Sequence, residues 1–440
     1  MKRLAFLALL AAPIFAENLT WESLANSVNE EPSVKAAEQK SSAVNSGTST
    51  KLWNSLEFEY KLDGFSFMDH EFELKYKPKN FGEGSANKSY WRAQGDYLKT
   101  KSDIERSSLI YDRYERALRY LTRVKISNIH QQLADVNSDR IEVLHIKSGS
   151  ATFDPSDLID ALERKAELAA EVLADSNSLQ NAELRFKSWL DYDEVDLDTN
   201  FLPSVEEIAE ALNDEREVDD SFLKVAEAKQ KWTVAESRYK QEKVGSHRVL
   251  SSIGVGYKYS RGSYEYDSVK TGNYYAVYSS AGITYESEKE WKVVRKPDDR
   301  RDRDKFYVEV TLRLPFFDTE GGDETKRQID VLDAESDYLE EKRSVSREIS
   351  HLKEETLALI TQVKLQREFQ ESVNAGEIFT EFAERSGSDP LLLLRAKEVS
   401  LESELKIVKL EYEIFSRYLE LLRLSGSFAN PDASTHFQGR

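Results

Sequence analysis

The sequence predicts a mainly α-helical fold with a membrane β-barrel, in which one unit of helix, two strands, long helix and returning helix occurs twice. Three observations support this prediction. Four sequence blocks recur in the same order in both halves, two strand pairs alternate between apolar and charged residues, and long helical segments carry apolar residues seven positions apart. The alternative is that low-complexity helical sequence merely aligns with itself.

The recurring blocks set the expected boundaries of the repeat. The first repeat is expected to span residues 17–190 and the second residues 221–426, with an acid-dense linker at 191–220 and a disordered tail at 427–440. The matched blocks are Val34–Glu38 with Leu223–Glu227, Ser55–Lys61 with Ser252–Lys258, Pro78 and Glu83-Gly84 with Pro315 and Glu320-Gly321, and Asp154-Pro155 with Asp389-Pro390.

The N-terminus has the composition of a secretory signal peptide. Lys2 and Arg3 precede the apolar run Leu4–Phe15, and the small residue Ala16 ends the segment, so residues 1–16 are expected to be removed on export. The run is shorter than the roughly 20 residues of a membrane-spanning helix. Loss of the two cations takes the formal net charge from −19 to −21, and so acidic a chain argues against nucleic acid as a partner.

The residues predict neither an enzyme nor a cofactor. The sequence has no cysteine, so disulfides, thiolate nucleophiles and a lipid-anchored cysteine are excluded. Its six histidines show no pair at zinc-ligand spacing, and it has no Walker loop and no Gly-x-Ser-x-Gly elbow. Asp157 and Asp160 could serve as general acid and base, but among 80 acidic residues they are expected to be solvated helix surface. No catalytic, cofactor-binding or metal-binding residue is predicted.

Two strand pairs, at 55–77 and 252–314, are predicted from alternating apolar and polar residues. Apolar side chains on one face and charged ones on the other suit a sheet with lipid on one side and water on the other. An ordinary antiparallel sheet on a soluble core has the same pattern. The residues expected to face lipid are Leu56, Phe58, Tyr60, Ile253, Val255, Tyr257, Val308, Val310 and Leu312.

The two strand pairs differ in their connections. Asp63-Gly64 predicts a tight turn in the first pair. The second pair encloses residues 261–304, which are rich in tyrosine and end in the mixed-charge run Asp298–Asp304, and which are expected to form a long exposed loop. An extra strand pair within Tyr274–Glu286 is an alternative interpretation.

After each strand pair the sequence predicts an unusually long helix. Apolar residues seven apart are typical of left-handed coiled coils, and a helix over residues 87–146 would be about 90 Å long. Each long helix is expected to end at a Ser-Gly-Ser turn, after which Pro155 and Pro390 start the returning helices. The heptad positions of the first long helix are Tyr90, Tyr97, Ile104, Tyr111 and Leu118, with Tyr114 and Leu121 three residues behind the last two. Those of the second are Val331, Tyr338, Val345, Leu352 and Leu359. The turns are Ser148, Gly149 and Ser150, and Ser386, Gly387 and Ser388.

These features together resemble the TolC-like outer-membrane efflux protein family over nearly the whole mature chain. The most specific local match is Leu312–Asp318, followed by Gly321-Gly322, which is similar to the segment that ends a strand before the second long helix of that family. The segments Gly149–Leu168, Gly387–Leu405 and Leu410–Gly426 are similar to the family's two hairpin tips and its C-terminal helix.

The sequence also departs from the family pattern. Glu31-Pro32 stands where the family more often has Asn-Pro. Leu392 and Arg395 occupy positions in the second tip where some relatives carry acidic pore residues, whereas Asp157 and Asp160 hold the corresponding places in the first. The resemblance therefore implies a possible periplasmic gate that includes Asp157, Asp160 and Arg395.

The resemblance implies a passive outer-membrane channel that serves a tripartite efflux pump or a type I secretion system. About four strands per chain would be pooled by a homotrimer into a β-barrel in outer-membrane lipid, with a coiled-coil α-barrel extending into the periplasm. The two turns would dock a periplasmic adaptor (membrane fusion protein) that links the channel to an inner-membrane exporter. The alternatives are a secreted coiled-coil structural protein or adhesin and a periplasmic adaptor subunit, although the lipoyl-like domain of an adaptor is not found.

Overall fold

The computed structural model describes residues 17–46, 53–62, 69–149, 153–198, 201–213, 217–246, 250–260, 266–279, 282–295, 303–312, 321–373, 390–430 and 432–437. The predicted signal peptide and the Asp63-Gly64 turn lie outside these ranges. The chain divides into two compact units, a helical one of residues 1–47, 91–235 and 330–440 and a sheet-containing one of residues 48–90 and 236–329.

The elements follow the predicted order in both halves of the chain. The first half contains β1 (Glu17–Leu19), α1 (Trp21–Ser27), α2 (Pro32–Ser46), β2 (Trp53–Leu62), β3 (Asp69–Pro78), α3 (Glu83–Lys147) and α4 (Pro155–Trp189). The linker contains β4 (Tyr192–Val195) and α5 (Val205–Leu212). The second half contains α6 (Leu223–Ser246), β5 (Leu250–Ser260), β6 (Tyr266–Ser279), β7 (Gly282–Arg295), β8 (Arg303–Leu312), α7 (Gly321–Val373) and α8 (Pro390–Ser425).

Four of the strands form one antiparallel sheet in the order β2-β3-β5-β8. The register aligns apolar residues into rows that cross all four strands. One row is Phe58, Leu74, Val255 and Val308, and the next is Tyr60, Phe72, Tyr257 and Phe306. Because side chains alternate between the faces of a strand, every such row lies on one face of the sheet. The two predicted strand pairs are thereby confirmed.

The prediction of one long loop at 261–304 is wrong. Strands β6 and β7, of 14 residues each, pair with one another there in an antiparallel two-stranded sheet that ends at Ser279 and Gly282. β1 and β4 add a short parallel pair. The described chain therefore has more than the expected four strands, because the inserted segment is long enough to pair internally.

The long helices are confirmed, but the buried stripe of α3 differs from the predicted heptad. α3 has 65 residues and α7 has 53. Of the residues predicted for the apolar stripe of α3, Tyr114 and Leu118 are buried, and the core stripe also includes Ile110 and Ala117, which were not predicted. In α7, Val345 and Leu352 are buried as expected. Within the described residues, none of the helices is long and apolar enough to cross a membrane.

The main core of the helical unit surrounds Tyr114, whose side chain is fully buried. Its ring contacts Trp21 of α1 edge-on at 5.4 Å between centroids, Phe428 at 5.5 Å and Phe437 at 5.3 Å. Aromatic pairs at such separations stabilise a core beyond the area that they bury. Residues from both ends of the described chain therefore meet on α3.

Arg113, the neighbour of Tyr114, fixes the α1–α2 connection to α3. Its guanidinium is buried, donates to the Leu24 carbonyl at 3.3 Å and to Ser27, and forms an ion pair with Glu31. It also lies over the Trp189 ring, 5.1 Å from its centroid. Glu31, of the Glu31-Pro32 pair that departs from the pattern of the resembled family, thus has a structural partner.

The prediction of a disordered tail is wrong for residues 427–430 and 432–437. Gly426 adopts a left-handed conformation (φ 79°) that ends α8, and two 3-10 turns follow at Ser427–Ala429 and Ala433–Thr435. Phe428, His436 and Phe437 are buried. The tail is short and mostly polar, but its Phe428 and Phe437 pack against Tyr114. This packing offsets the conformational entropy lost when the segment becomes ordered.

The buried imidazole of His436 gives the tail a pH-dependent contact. His436 Nε2 lies 2.8 Å from the Asn430 carbonyl, so it carries the proton, and Nδ1 accepts from the Tyr114 hydroxyl at 2.9 Å. Burial lowers the pKa of His436 below 6.5, with a small further lowering by Arg106, against the opposing effects of Asn430 and Asp432. The folded state therefore prefers neutral imidazole.

We predict that the tail loosens in acid. Because the folded pKa is lowered, the stabilisation is complete above pH 6.5 and is lost as pH falls below that value, by at most about 1.4 kcal/mol per pH unit for one group. Hydrogen exchange of residues 427–437, corrected for intrinsic rates, should show less protection at pH 5 than at pH 7. H436Q should remove this difference, whereas H351Q, at an exposed histidine of α7, should keep it. An equal pH response in both variants would contradict the assignment.

Candidate functional site

The apolar face of the four-stranded sheet is exposed in the single chain. Phe58 and Val308, which belong to one cross-strand row, are each 69% exposed. Of the nine residues expected to face lipid, seven are exposed, and Ile253 and Tyr257 are half-buried. Aromatic neighbours pack laterally along the face, with 4.9 Å between the ring centroids of Tyr60 and Phe72. An apolar face this large requires a partner or an apolar medium.

The opposite face of the sheet carries cross-strand ion pairs. Lys77 Nζ donates to Glu57 Oε1 at 2.7 Å, and Lys75 Nζ donates to Glu59 Oε2 at 3.0 Å. Lys75 also lies 3.1 Å from Glu73 Oε2. Both hydrogen-bonded pairs are diagonal, because the register places Glu57 opposite Lys75 and Glu59 opposite Glu73. Long side chains of opposite charge at diagonal positions are within reach of each other across antiparallel strands. The alternation of charged and apolar residues along the strands was visible in the sequence. Which lysine pairs with which glutamate could be known only from the register of the two strands.

Two glycines make room on this polar face for larger neighbours. An added Cβ at Gly254 would lie 2.6 Å from Oε1 of Glu73, and one at Gly256 would overlap the Tyr307 ring. Glu73 is only 3% exposed, and the Tyr307 hydroxyl donates to Glu71 at 2.6 Å. The side chains of Glu73 and Tyr307, which the sequence did not single out, therefore lie flat over the sheet.

The first predicted tip is described in part. α3 ends at Lys147, and the Ser148 hydroxyl donates to the His145 carbonyl at 2.7 Å, with Gly149 following. Asp154 caps α4 by accepting from the Ser156 amide at 2.9 Å, with Pro155 at the first helical position as predicted. These hydrogen bonds hold the pKa of Asp154 below its usual range. Ser150, Ser386, Gly387 and Ser388 lie outside the described residues.

The start of α8 packs beside this first tip. Ile141 and Leu144 of α3 and Ala161 of α4 form a buried cluster against which Leu391 of α8 packs. Arg140 of α3 lies 3.7 Å from Glu398 of α8. The end of α3, the start of α4 and the start of α8 therefore lie together in the helical unit.

The structure does not join the three predicted gate residues into one cluster. Asp157 and Asp160 are exposed in the first two turns of α4, and Arg395 is exposed in the second turn of α8. Among the described residues, α4 is linked to α8 by Arg164 and Glu402, 3.9 Å apart. A gate built from these residues would therefore require the matching residues of neighbouring chains.

A buried polar network between α3 and α4 was missed by the sequence analysis. Asp175 is 1% exposed and accepts from Arg123 at 2.8 Å, and its other oxygen lies 2.7 Å from Nδ1 of His130. A buried carboxylate needs such partners because its desolvation is costly. Spacing along the chain could not reveal the network, because its members lie on two helices. No group of three or more His, Asp or Glu in the described chain is arranged to hold a metal ion.

Comparison with known proteins identifies the fold. No family model matches the sequence, and no curated protein matches it. Solved structures match over nearly the whole length. The open state of the Neisseria gonorrhoeae MtrE outer membrane channel is 12% identical, with a TM-score of 0.64 over 96% of this chain and 94% of that one.

Two further structures have the same fold. The outer membrane protein VceC of Vibrio cholerae is 12% identical, with a TM-score of 0.59 over 92% of this chain and 96% of that one. CusC, whose structures concern transmembrane channel formation, is 10% identical, with a TM-score of 0.64 over 93% of both chains. The chain therefore has the fold of TolC-like outer-membrane channels, which confirms the resemblance seen in the sequence and the expected mainly helical fold with a few strands.

Proposed function

We propose that this chain is the subunit of an outer-membrane channel, a passive exit duct from periplasm to exterior that serves a tripartite efflux pump or a type I secretion system. The observation that carries the proposal is the four-stranded sheet, which has one exposed apolar face and one ion-paired face within a channel fold. The fold likeness to channels does not favour the alternative of a secreted coiled-coil adhesin.

The sheet supports assembly from several copies. Among the described strands, the outer strands β2 and β8 of this sheet each have one unpaired edge. An open edge in lipid leaves backbone groups without hydrogen bonds. Membrane barrels have at least about 8 strands. Because four antiparallel strands put β2 and β8 in opposite directions, β8 of one copy can pair antiparallel with β2 of the next. Three copies, as the resemblance implies, give a closed barrel of twelve strands.

Exposed apolar residues on the helices also support packing between copies. Leu173 and Leu184 of α4, and Leu332 and Leu339 of α7, are all largely exposed in the single chain. Apolar surfaces of this kind mark contacts with other chains. In the proposed homotrimer these residues line the seams between neighbouring helices in the periplasm.

The turn ends would face the periplasmic partners. The cluster of Ile141, Leu144, Ala161 and Leu391 places the start of α8 at the Ser148-Gly149 end of α3. We propose that this end, together with Ser150, Ser386, Gly387 and Ser388, docks a periplasmic adaptor that leads to an inner-membrane exporter. The adaptor and the exporter supply the energy, since the duct itself is passive.

The purified protein in detergent should be a homotrimer that forms open channels in planar bilayers. Multi-angle light scattering gives the number of chains, and single-channel recording gives the conductance. A stable monomer that retains its strand content would contradict the closure argument. A trimer without conductance would contradict the function.

Adjacent residues of β8 provide a matched test of the lipid face. Val310 lies on the apolar face and Thr311 on the other. V310R should lower the free energy of unfolding from phospholipid vesicles by about 2–4 kcal/mol, because arginine at mid-membrane depth faces lipid. T311R should have little effect. Equal costs for the two variants would refute the orientation of the sheet.

Removal of both candidate gate carboxylates tests their role. If Asp157 and Asp160 form an anionic ring in the trimer, D157A/D160A should raise single-channel conductance and weaken cation preference. The alternative is that they only stabilise the N-terminal end of α4 through the helix dipole. D333A/E340A, which removes two exposed carboxylates of α7, is the control for net charge. Conductance and selectivity unchanged relative to that control would leave only the structural role.

A further inference from the structure

A cavity of about 380 Å³ between α3 and α4 is lined by four arginines. Arg116, Arg119 and Arg123 share one side of α3, being three and four positions apart, and Arg185 approaches from α4. The side chains of Tyr120 and Asn181 complete its polar lining. Four cations around one small cavity stand out in a chain with a net charge of −19.

Three of the four arginines already have acidic partners. Arg123 is held by the buried carboxylate of Asp175 at 2.8 Å. Arg116 contacts both oxygens of Asp112, at 2.9 and 3.0 Å, and Arg119 contacts Glu115 at 2.6 Å. The last two pairs lie within α3, four positions apart and partly exposed, and such pairs contribute little stability. Arg119 also donates to the Tyr412 hydroxyl at 3.2 Å, and the Arg116 guanidinium lies 5.9 Å from the centroid of the Trp189 ring. Since these contacts are long and the ion pairs are weak, both guanidinium groups can turn to another anion at low cost.

The guanidinium of Arg185 is exposed and has no ion pair or hydrogen bond with the described residues, although its backbone carbonyl accepts from the Ser188 hydroxyl at 2.6 Å. The nearby acid Glu183 does not line the cavity and is engaged by the Tyr120 hydroxyl at 3.2 Å. Glu115 is likewise shared, since it accepts from the Tyr412 hydroxyl at 2.6 Å. The cavity consequently holds more positive charge than its own neighbours neutralise.

The remaining lining indicates the kind of ligand. The cavity includes apolar atoms of Leu179 and Phe186 beneath the arginines. Its volume lies in the range of small-molecule sites, which combine an apolar lining with a few polar groups. Guanidinium forks match the paired oxygens of carboxylate and phosphate groups. We propose that this arginine cavity binds a small organic anion through its carboxylate or phosphate oxygens.

Calorimetric titration of the full-length protein in detergent tests the proposal. The probes are benzene-1,3-dicarboxylate and phenyl phosphate, which share an apolar ring and differ in the acidic group. At least one should bind saturably, and the difference between them assigns the site to carboxylate or phosphate. R185Q should weaken that binding about tenfold, as expected for the loss of one charge-assisted hydrogen-bonded pair. R185K, which keeps the charge without the fork, should be intermediate.

K165Q is the matched control, because Lys165 is an exposed cation on the same helix, outside the cavity. It removes the same charge about 30 Å away at 1.5 Å per residue, beyond the Debye length of about 10 Å at 0.1 M salt. K165Q should leave the affinity unchanged. Absence of saturable binding of both probes at millimolar concentration, or equal effects of R185Q and K165Q, would overturn the proposal. Because the readout is binding, the result is independent of channel conductance.

Discussion

The contacts of Tyr114 are the interaction on which the helical unit most depends. This one side chain packs against α1 through Trp21 and against the C-terminal turns through Phe428 and Phe437, while its hydroxyl donates to His436. A helix as long as α3 cannot be held by its own propensity, since most helical stability in proteins comes from packing. Truncation of such a fully buried aromatic typically costs about 3–5 kcal/mol. The position of α3 is thus fixed by two segments distant from Tyr114 along the chain, α1 about 90 positions before it and the C-terminal turns more than 300 positions after it.

This dependence explains which parts of the fold the sequence could predict. The strand pairs and the Asp154-Pro155 helix start follow from local rules, namely a period of two and the fixed φ of proline. The order of the tail and the burial of Ile110 and Ala117 depend on distant contacts, which local periodicity does not reveal. The β6–β7 pair was only an alternative interpretation, because tyrosine-rich, mixed-charge sequence is as typical of loops as of exposed strands.

The candidate site residues likewise divide into those that local sequence patterns predict and those that depend on distant contacts. The exposed apolar face of the sheet was predictable because alternation alone assigns a face to every residue of a strand. The position of Glu73, by contrast, required the register, which places it opposite Gly256, and the fold of its side chain over Gly254. His130 and Asp175 lie on different helices, so the hydrogen bond between them could not be expected from spacing. The gate residues were inferred from the resemblance alone. In the described part of the single chain, Asp157, Asp160 and Arg395 do not form one cluster.

Charge is distributed in this chain so that cations hold buried or aligned carboxylates in place. Lys75 joins Glu59 and Glu73 on the sheet, Arg113 joins Glu31 in the core, and Arg123 joins Asp175 between helices. Each pair satisfies a carboxylate that would otherwise be costly to desolvate. Arg185 differs from these three cations, because its exposed guanidinium has no acidic partner among the described residues. Arg185 therefore marks the arginine cavity as a place where negative charge from outside the chain is the missing partner.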